Sequence, residues 1–148
     1  ITAKYSDRTL PRPYSISDNL DIFANGMIIS KKLSTERLTM DGLNILAQNG
    51  QPINKLGIGQ TGMIFSNVKN ELDYKQDFAY IVQIKDKNGN VVSLLWVTGQ
   101  VIPSQELGMS VSWTPEKYGE YTIDRFIWNS IKGAIPLDNS SSTKILIQ

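Results

Sequence analysis

Beyond about Gly42 the chain is written in short runs where apolar and polar residues alternate, broken by a turn signal roughly every ten residues. Phe78, Tyr80, Val82 and Ile84 share one parity while Gln83 and Lys85 take the other, which predicts a strand with one face turned to a core. Leu107, Met109, Val111 and Trp113 repeat the pattern after Pro103, and Ile145 and Ile147 repeat it in a last strand from Thr143 to Gln148. Further strands are predicted over Leu43 to Ala47, closed by Asn49-Gly50-Gln51-Pro52, and over Thr61 to Val68. Asp86-Lys87-Asn88-Gly89-Asn90 is a Gly-centred polar connector leading into Val91 to Val97, the signature of a hairpin. Pro115 and Gly119 mark a corner. After it Tyr121, Ile123 and Ile127 lie on one parity and Phe126 and Trp128 on the other, so both faces of that strand are expected to be partly covered.

About seven strands between residues 42 and 148 predict an all-β, immunoglobulin-like antiparallel β-sandwich. Residues 1–41 are read as an N-terminal extension. They hold Pro11, Pro13, a Ser/Asp-rich stretch, and an apolar segment from Ile22 to Ile29 followed by Lys31-Lys32. An extra strand or pair of strands, a linker, or a donor arm that pairs with another chain all fit this composition.

At 148 residues the chain can bury a core without disulfides, and the absence of Cys leaves its redox compartment unread. Fifteen basic and fourteen acidic residues give a net charge of +1 with both signs scattered, so the basic stripe of a nucleic-acid binder is missing. No apolar run approaches the roughly 20 residues that span a bilayer. The chain starts on Ile rather than Met and its first residues carry no apolar leader core, from which a mature secreted product is expected, its signal peptide removed.

With no His and no Cys, Ser-His-Asp and Cys-His catalysis and the usual zinc, copper and haem sites are excluded, and no cofactor is expected. Glu71, Asp73 and Asp77 cluster as a solvated connector rather than as a carboxylate pair across a cleft. Asp86, Asn88 and Asn90 alternate like calcium ligands, but Gly89 sits in the wrong place and no Glu follows at the required spacing, so a hairpin turn is preferred. A surface calcium site built from mixed loop carboxylates stays open. Trp113 lies on an apolar parity and is expected in the core. Trp96 and Trp128 are candidate glycan contacts, because exposed aromatic rings stack on sugars. Tyr121, just after Gly119, is placed like a tyrosine corner, whose hydroxyl caps backbone groups. Asn139-Ser140-Ser141 is an N-glycosylation sequon in a polar loop.

The stretch Gln83-Ile84-Lys85-Asp86, Asn88-Gly89 and Val92-Ser93-Leu94-Leu95-Trp96-Val97-Thr98-Gly99 carries a resemblance, together with Ser112-Trp113-Thr114-Pro115, Gly119-Glu120-Tyr121-Thr122 and Phe126-Ile127-Trp128-Asn129-Ser130-Ile131. It resembles the immunoglobulin-like or fibronectin-III-like modules of secreted and cell-surface proteins of ammonia-oxidising archaea, over roughly residues 42–148. The resemblance implies an extracellular, non-catalytic module built into surface layers, filaments or adhesive proteins, with no catalytic residues to carry over. The expected function is structural: assembly through strand edges, with the chain itself or other cell-surface proteins as partners. In its sharpest form the protein is a pilus-like filament subunit joined by donor-strand exchange, with Ile22, Phe23, Met27, Ile28 and Ile29 as assembly residues. The alternative is a carbohydrate-binding or adhesive module using Trp96 and Trp128.

Overall fold

The computed structural model describes residues 37–148 and, as a backbone pairing, residues 22–24 and 27–29. The chain divides into two compact units, Ile1–Leu33 and Ser34–Gln148. In the first, β1 (Ile22–Ala24) and β2 (Met27–Ile29) pair antiparallel, with Ile22 opposite Ile29 and Ala24 opposite Met27. The backbone that carries the candidate assembly residues is therefore a short hairpin paired with itself, rather than one continuous strand. Pro11, Pro13, the Ser/Asp-rich stretch and Lys31-Lys32 lie outside the described residues.

The second unit is an immunoglobulin-like β-sandwich of nine strands, with no helix among the described residues. They are β3 (Leu38–Met40), β4 (Asn44–Leu46), β5 (Lys55–Leu56), β6 (Gly62–Asn70), β7 (Gln76–Lys85), β8 (Val91–Val101), β9 (Glu106–Trp113), β10 (Gly119–Trp128) and β11 (Ser141–Ile147). The seven strands expected from the sequence are all here. The two additions, β3 and β5, are too short for an alternating pattern to register. β3 falls within the stretch read from sequence as extension, yet Leu38 is buried and its N–H bonds the carbonyl of Leu137.

One sheet runs in the order β5-β11-β10-β7-β8, antiparallel except for the parallel β11–β5 pair. The other is centred on β6, with β9 along one side and β3 and β4 in succession along the other. Asp41, between β3 and β4, keeps β6 satisfied across the gap: its carboxylate accepts from the N–H of Asn67 at 2.9 Å and from Asn67 Nδ2 at 3.0 Å. Phe78, Tyr80, Val82 and Ile84 of β7 and Ile123 and Ile127 of β10 form one wall of the core. Ile64, Val68, Met109 and Trp113 line the other sheet. Burial of each such side chain stabilises the fold by about 1.5–3 kcal/mol. Trp113 packs edge-on against Tyr121, ring centroids 5.2 Å apart, and the Tyr121 hydroxyl donates to the carbonyl of Lys117 at 3.1 Å, the corner expected from Gly119.

One charged side chain crosses the core. Arg125 lies on the inward parity of β10 between Ile123 and Ile127 and is buried. Its guanidinium donates to Ser66 Oγ at 2.7 Å and to the backbone carbonyl of Asp41, and Ser66 in turn bonds the Tyr80 hydroxyl at 3.2 Å. Both sheets are thus tied through a polar bridge. Burial pushes the pKa of Arg125 down, against the pull of Tyr80, Asp138 and Asp41, and pushes that of the Tyr80 phenol up.

Candidate interaction surface

β8 is the edge of the five-stranded sheet. It pairs residue for residue with β7 on one side, and with no strand on the other among the described residues. Edge strands are usually short, charged, or broken by Pro or a bulge, because their unpaired N–H and C=O groups template further pairing. The opposite edge, β5, follows that rule with only 2 residues. β8 runs for 11 residues with no charge and no Pro. A bulge at Val92 disturbs one end, where Ile84 pairs with Ser93 and Lys85 with Val91, and at the other end Val101 turns into the core. Between them Leu94 and Trp96 are more than half exposed.

The register sorts β8 into two rows. Leu95 and Val97 stand opposite Val82 and Tyr80 and so share the core-facing side, yet Val97 remains 37% exposed because nothing continues the sheet beyond it. Leu94, Trp96 and Thr98 stand opposite Gln83, Ile81 and Ala79 and face outward. Gly99 belongs to the inner row: a Cβ there would come within 2.9 Å of the Phe78 ring, so glycine is required by close packing rather than by a bend.

Across the outer face the rows continue into β10. Trp96, Ile81 and Phe126 lie side by side, and Thr98, Ala79 and Trp128 form the next row. Ile81 and Ala79 are buried although they face outward, consistent with cover from the large side chains in these two rows. The two candidate glycan residues therefore share a face. Its rings are not one flat platform, since Phe126 and Trp128 meet at 48° with centroids 6.0 Å apart. Toward the other end the same face is polar. Asp124 accepts from Ser142 Oγ at 2.6 Å, from Lys85 Nζ at 2.9 Å and from Gln83 Nε2 at 3.3 Å. Partial burial would raise its pKa, but the bonds from Ser142, Lys85 and Gln83 hold its carboxyl below the usual carboxylate range.

The calcium-like turn is a hairpin. Asp86 Oδ1 accepts from the N–H groups of Asn88 and Asn90 at 2.8 and 2.9 Å, and Oδ2 from Asn90 Nδ2, so the carboxylate is spent on the turn. Those bonds, Asn90 first, lower the pKa of Asp86. No cluster of three or more metal-binding side chains occurs among the described residues. Asn139 is exposed in the loop before β11. The sequence reading missed two features. Arg125 was detectable as a charge on an apolar parity. The place of β8 at the sheet edge had no signal of its own, since a run apolar on both parities fits a central strand equally well.

The fold is thus an immunoglobulin-like sandwich with one long, uncharged edge strand. The chain belongs to the S-layer A-like family, whose profile matches residues 26–148, and this makes it an archaeal cell-surface structural protein. No curated protein matches the sequence. Among solved structures, the CARDB domain of a Pyrococcus furiosus protein, described in complex with di-metal ions, is 18% identical. The match covers 79% of this chain and 97% of that one, with a TM-score of 0.52. The C-terminal domain of wzt is 16% identical over 78% of this chain and 76% of that one, with a TM-score of 0.65. A β-glucuronidase of Bacteroides uniformis is 19% identical over 71% of this chain but only 13% of its own, with a TM-score of 0.58. These likenesses show the fold alone, and the enzyme match reaches a small part of that enzyme.

Proposed function

We propose that the sandwich is a building block of a self-assembling extracellular surface structure, joined to its neighbours by strand addition at β8 and by apolar contact across the adjoining outer face. One observation carries this reading: an exposed, uncharged edge strand of 11 residues in a chain of the S-layer A-like family. Backbone hydrogen bonds would supply affinity, and the alternation of Leu94, Trp96 and Thr98 with Leu95 and Val97 would supply register. In the finer form a neighbour's Ile22, Phe23, Met27, Ile28 and Ile29 act as donor and the product is a filament. Because those residues are paired as a hairpin, the donor either opens or adds by the free edge of its ribbon.

The test is the mass and shape of the full chain, by light scattering and negative-stain microscopy, beside a form lacking residues 1–32 and a Leu94→Lys, Trp96→Lys double variant. Assemblies lost on truncation support the donor arm. Assemblies that survive truncation but vanish in the double variant support β8 as a joint independent of the arm. A monomer at every concentration overturns the proposal.

A second reading, a glycan-binding or adhesive module, is favoured by Trp96 and Trp128 sharing one face with the polar row around Asp124. It predicts that a glycan array gives signals that Trp96→Ala abolishes and Leu146→Ala does not.

A further inference from the structure

The β8 edge has a property that general strand addition does not require: it is suited to meet a copy of itself. A two-fold pairing of identical strands is isologous, so each residue meets the residue reflected through the axis. Any charge near the axis would then face its own like charge, which destabilises directly opposed positions. β8 carries none, whereas its partner β7 carries Asp77 and Lys85, and β9, the facing sheet's edge, carries Glu106.

Geometry narrows the register. Two antiparallel strands related by a two-fold share the direction of their outer faces, so outward residues must oppose outward residues and inward must oppose inward. Only a register in which one residue opposes itself satisfies this. The bulge at Val92 and the inward turn at Val101 leave residues 93–100 to pair. With Trp96 opposite Trp96 of the copy, the pairing spans nearly all of that stretch. It also sets Leu94 opposite Thr98 on the outer side and Leu95 opposite Val97 on the inner side. The half-exposed Val97 thereby gains the cover that the sheet edge withholds.

We infer that β8 pairs antiparallel with β8 of a second copy, centred on Trp96, joining two five-stranded sheets into one continuous ten-stranded sheet with a single outer aromatic strip. The inference rests on the assembly reading above and adds partner, symmetry and register to it.

The chain has no native Cys, so cysteines introduced singly report the register without background. Opposed residues in a pair lie about 4.5–5.5 Å apart at Cβ, within reach of a disulfide after small adjustment, whereas residues offset by four along each strand lie about 13 Å apart. The full-length chain carrying Trp96→Cys is expected to convert mainly to covalent dimer under mild oxidation. Leu94→Cys alone and Thr98→Cys alone are expected to stay monomeric on denaturing gels, while an equimolar mixture of the two, which retains Trp96, cross-links. As a separate arm, Trp96→Lys is expected to shift the light-scattering mass to the protomer value, with Leu146→Lys at the far side of the sheet leaving it unchanged. An oligomer by light scattering with neither the Trp96→Cys nor the mixed cross-link overturns this inference and leaves the assembly reading standing. A wild-type chain that is monomeric throughout overturns both.

Discussion

β7 and β8 are neighbours paired along nearly their whole length, and both are rich in Val, Ile, Leu and aromatic residues, yet they live in opposite environments. Phe78, Ala79, Tyr80, Ile81, Val82 and Ile84 are all buried in β7, inward and outward rows alike, whereas in β8 only Val101 is. The difference is position. β7 lies between β10 and β8, so the outward-facing Ile81 stands between Trp96 on one side and Phe126 on the other and is buried. β8 has a neighbour on one side only. Hydrophobic composition therefore marks a central strand in one case and an exposed edge in the other, and the assembly proposed above would give that edge its partner.

The most direct way to break the comparison is to shorten one apolar side chain in each strand. Ile84→Ala in β7 removes a fully buried side chain and is expected to cost about 2–5 kcal/mol, while Leu94→Ala in β8 is expected to change stability by less than about 0.5 kcal/mol. Chemical denaturation of dilute, unassembled protein reads both. Comparable losses would mean that β8 is covered within the protomer.

Arg125 tests whether the interior around β7 depends on its polar bridge as well as on apolar contact. Arg125→Met keeps much of the volume but leaves Ser66 and the Asp41 carbonyl without their donor, and about 1–3 kcal/mol of stability should be lost by the same assay. An unchanged midpoint would show that the bridge is neutral and the sheets are held by packing alone. Gly99 is where β8 behaves like core. Gly99→Ala drives a methyl into the Phe78 ring and is expected to cost about 1–3 kcal/mol, against a negligible change for Thr98→Ala next to it.

The same comparison explains what could be read from sequence and what could not. Parity placed Tyr80, Ile84, Met109, Trp113, Tyr121 and Ile145 inward, because a half-buried strand imposes a period of two on its own sequence. Centre and edge impose no such local signal, since that distinction depends on which strands become neighbours, and so β8 read as one more apolar strand. Arg125 could be seen as an exception to its parity, but its partners come from Ser66 on β6 and the carbonyl of Asp41, both remote in the chain. β3 and β5 went unread because strands of 3 and 2 residues are defined by their partners rather than by their own pattern. For the apolar segment before Lys31 the sequence left one strand or a pair open, and Asn25-Gly26 at its middle, a hairpin dipeptide, is the signal that favours the pair.

The smallest expected effect sharpens the comparison on the outer face. Polar residues reach from β11 through β10 to Gln83 and Lys85 of β7 and stop there, for the facing positions on β8 are Leu94 and Val91. Asp124 is the hub of that polar row, and its carboxyl titrates below the ordinary range because Ser142, Lys85 and Gln83 favour the charged form more than partial burial opposes it. A folded-state pKa below the unfolded value means that the stabilisation is fully present above about pH 4 and is lost as the pH falls through the folded value. Asp124→Asn should therefore lower stability by about 0.5–1 kcal/mol at pH 7, and the gap from wild type should narrow at a pH below about 4. Urea midpoints at the two pH values give the answer, with light-scattering mass measured in parallel. A gap that persists at low pH would assign the role of Asp124 to packing rather than charge. A change in assembled mass would show that the joint extends from β8 across the polar half of the face, beyond the boundary at which β7 and β8 differ.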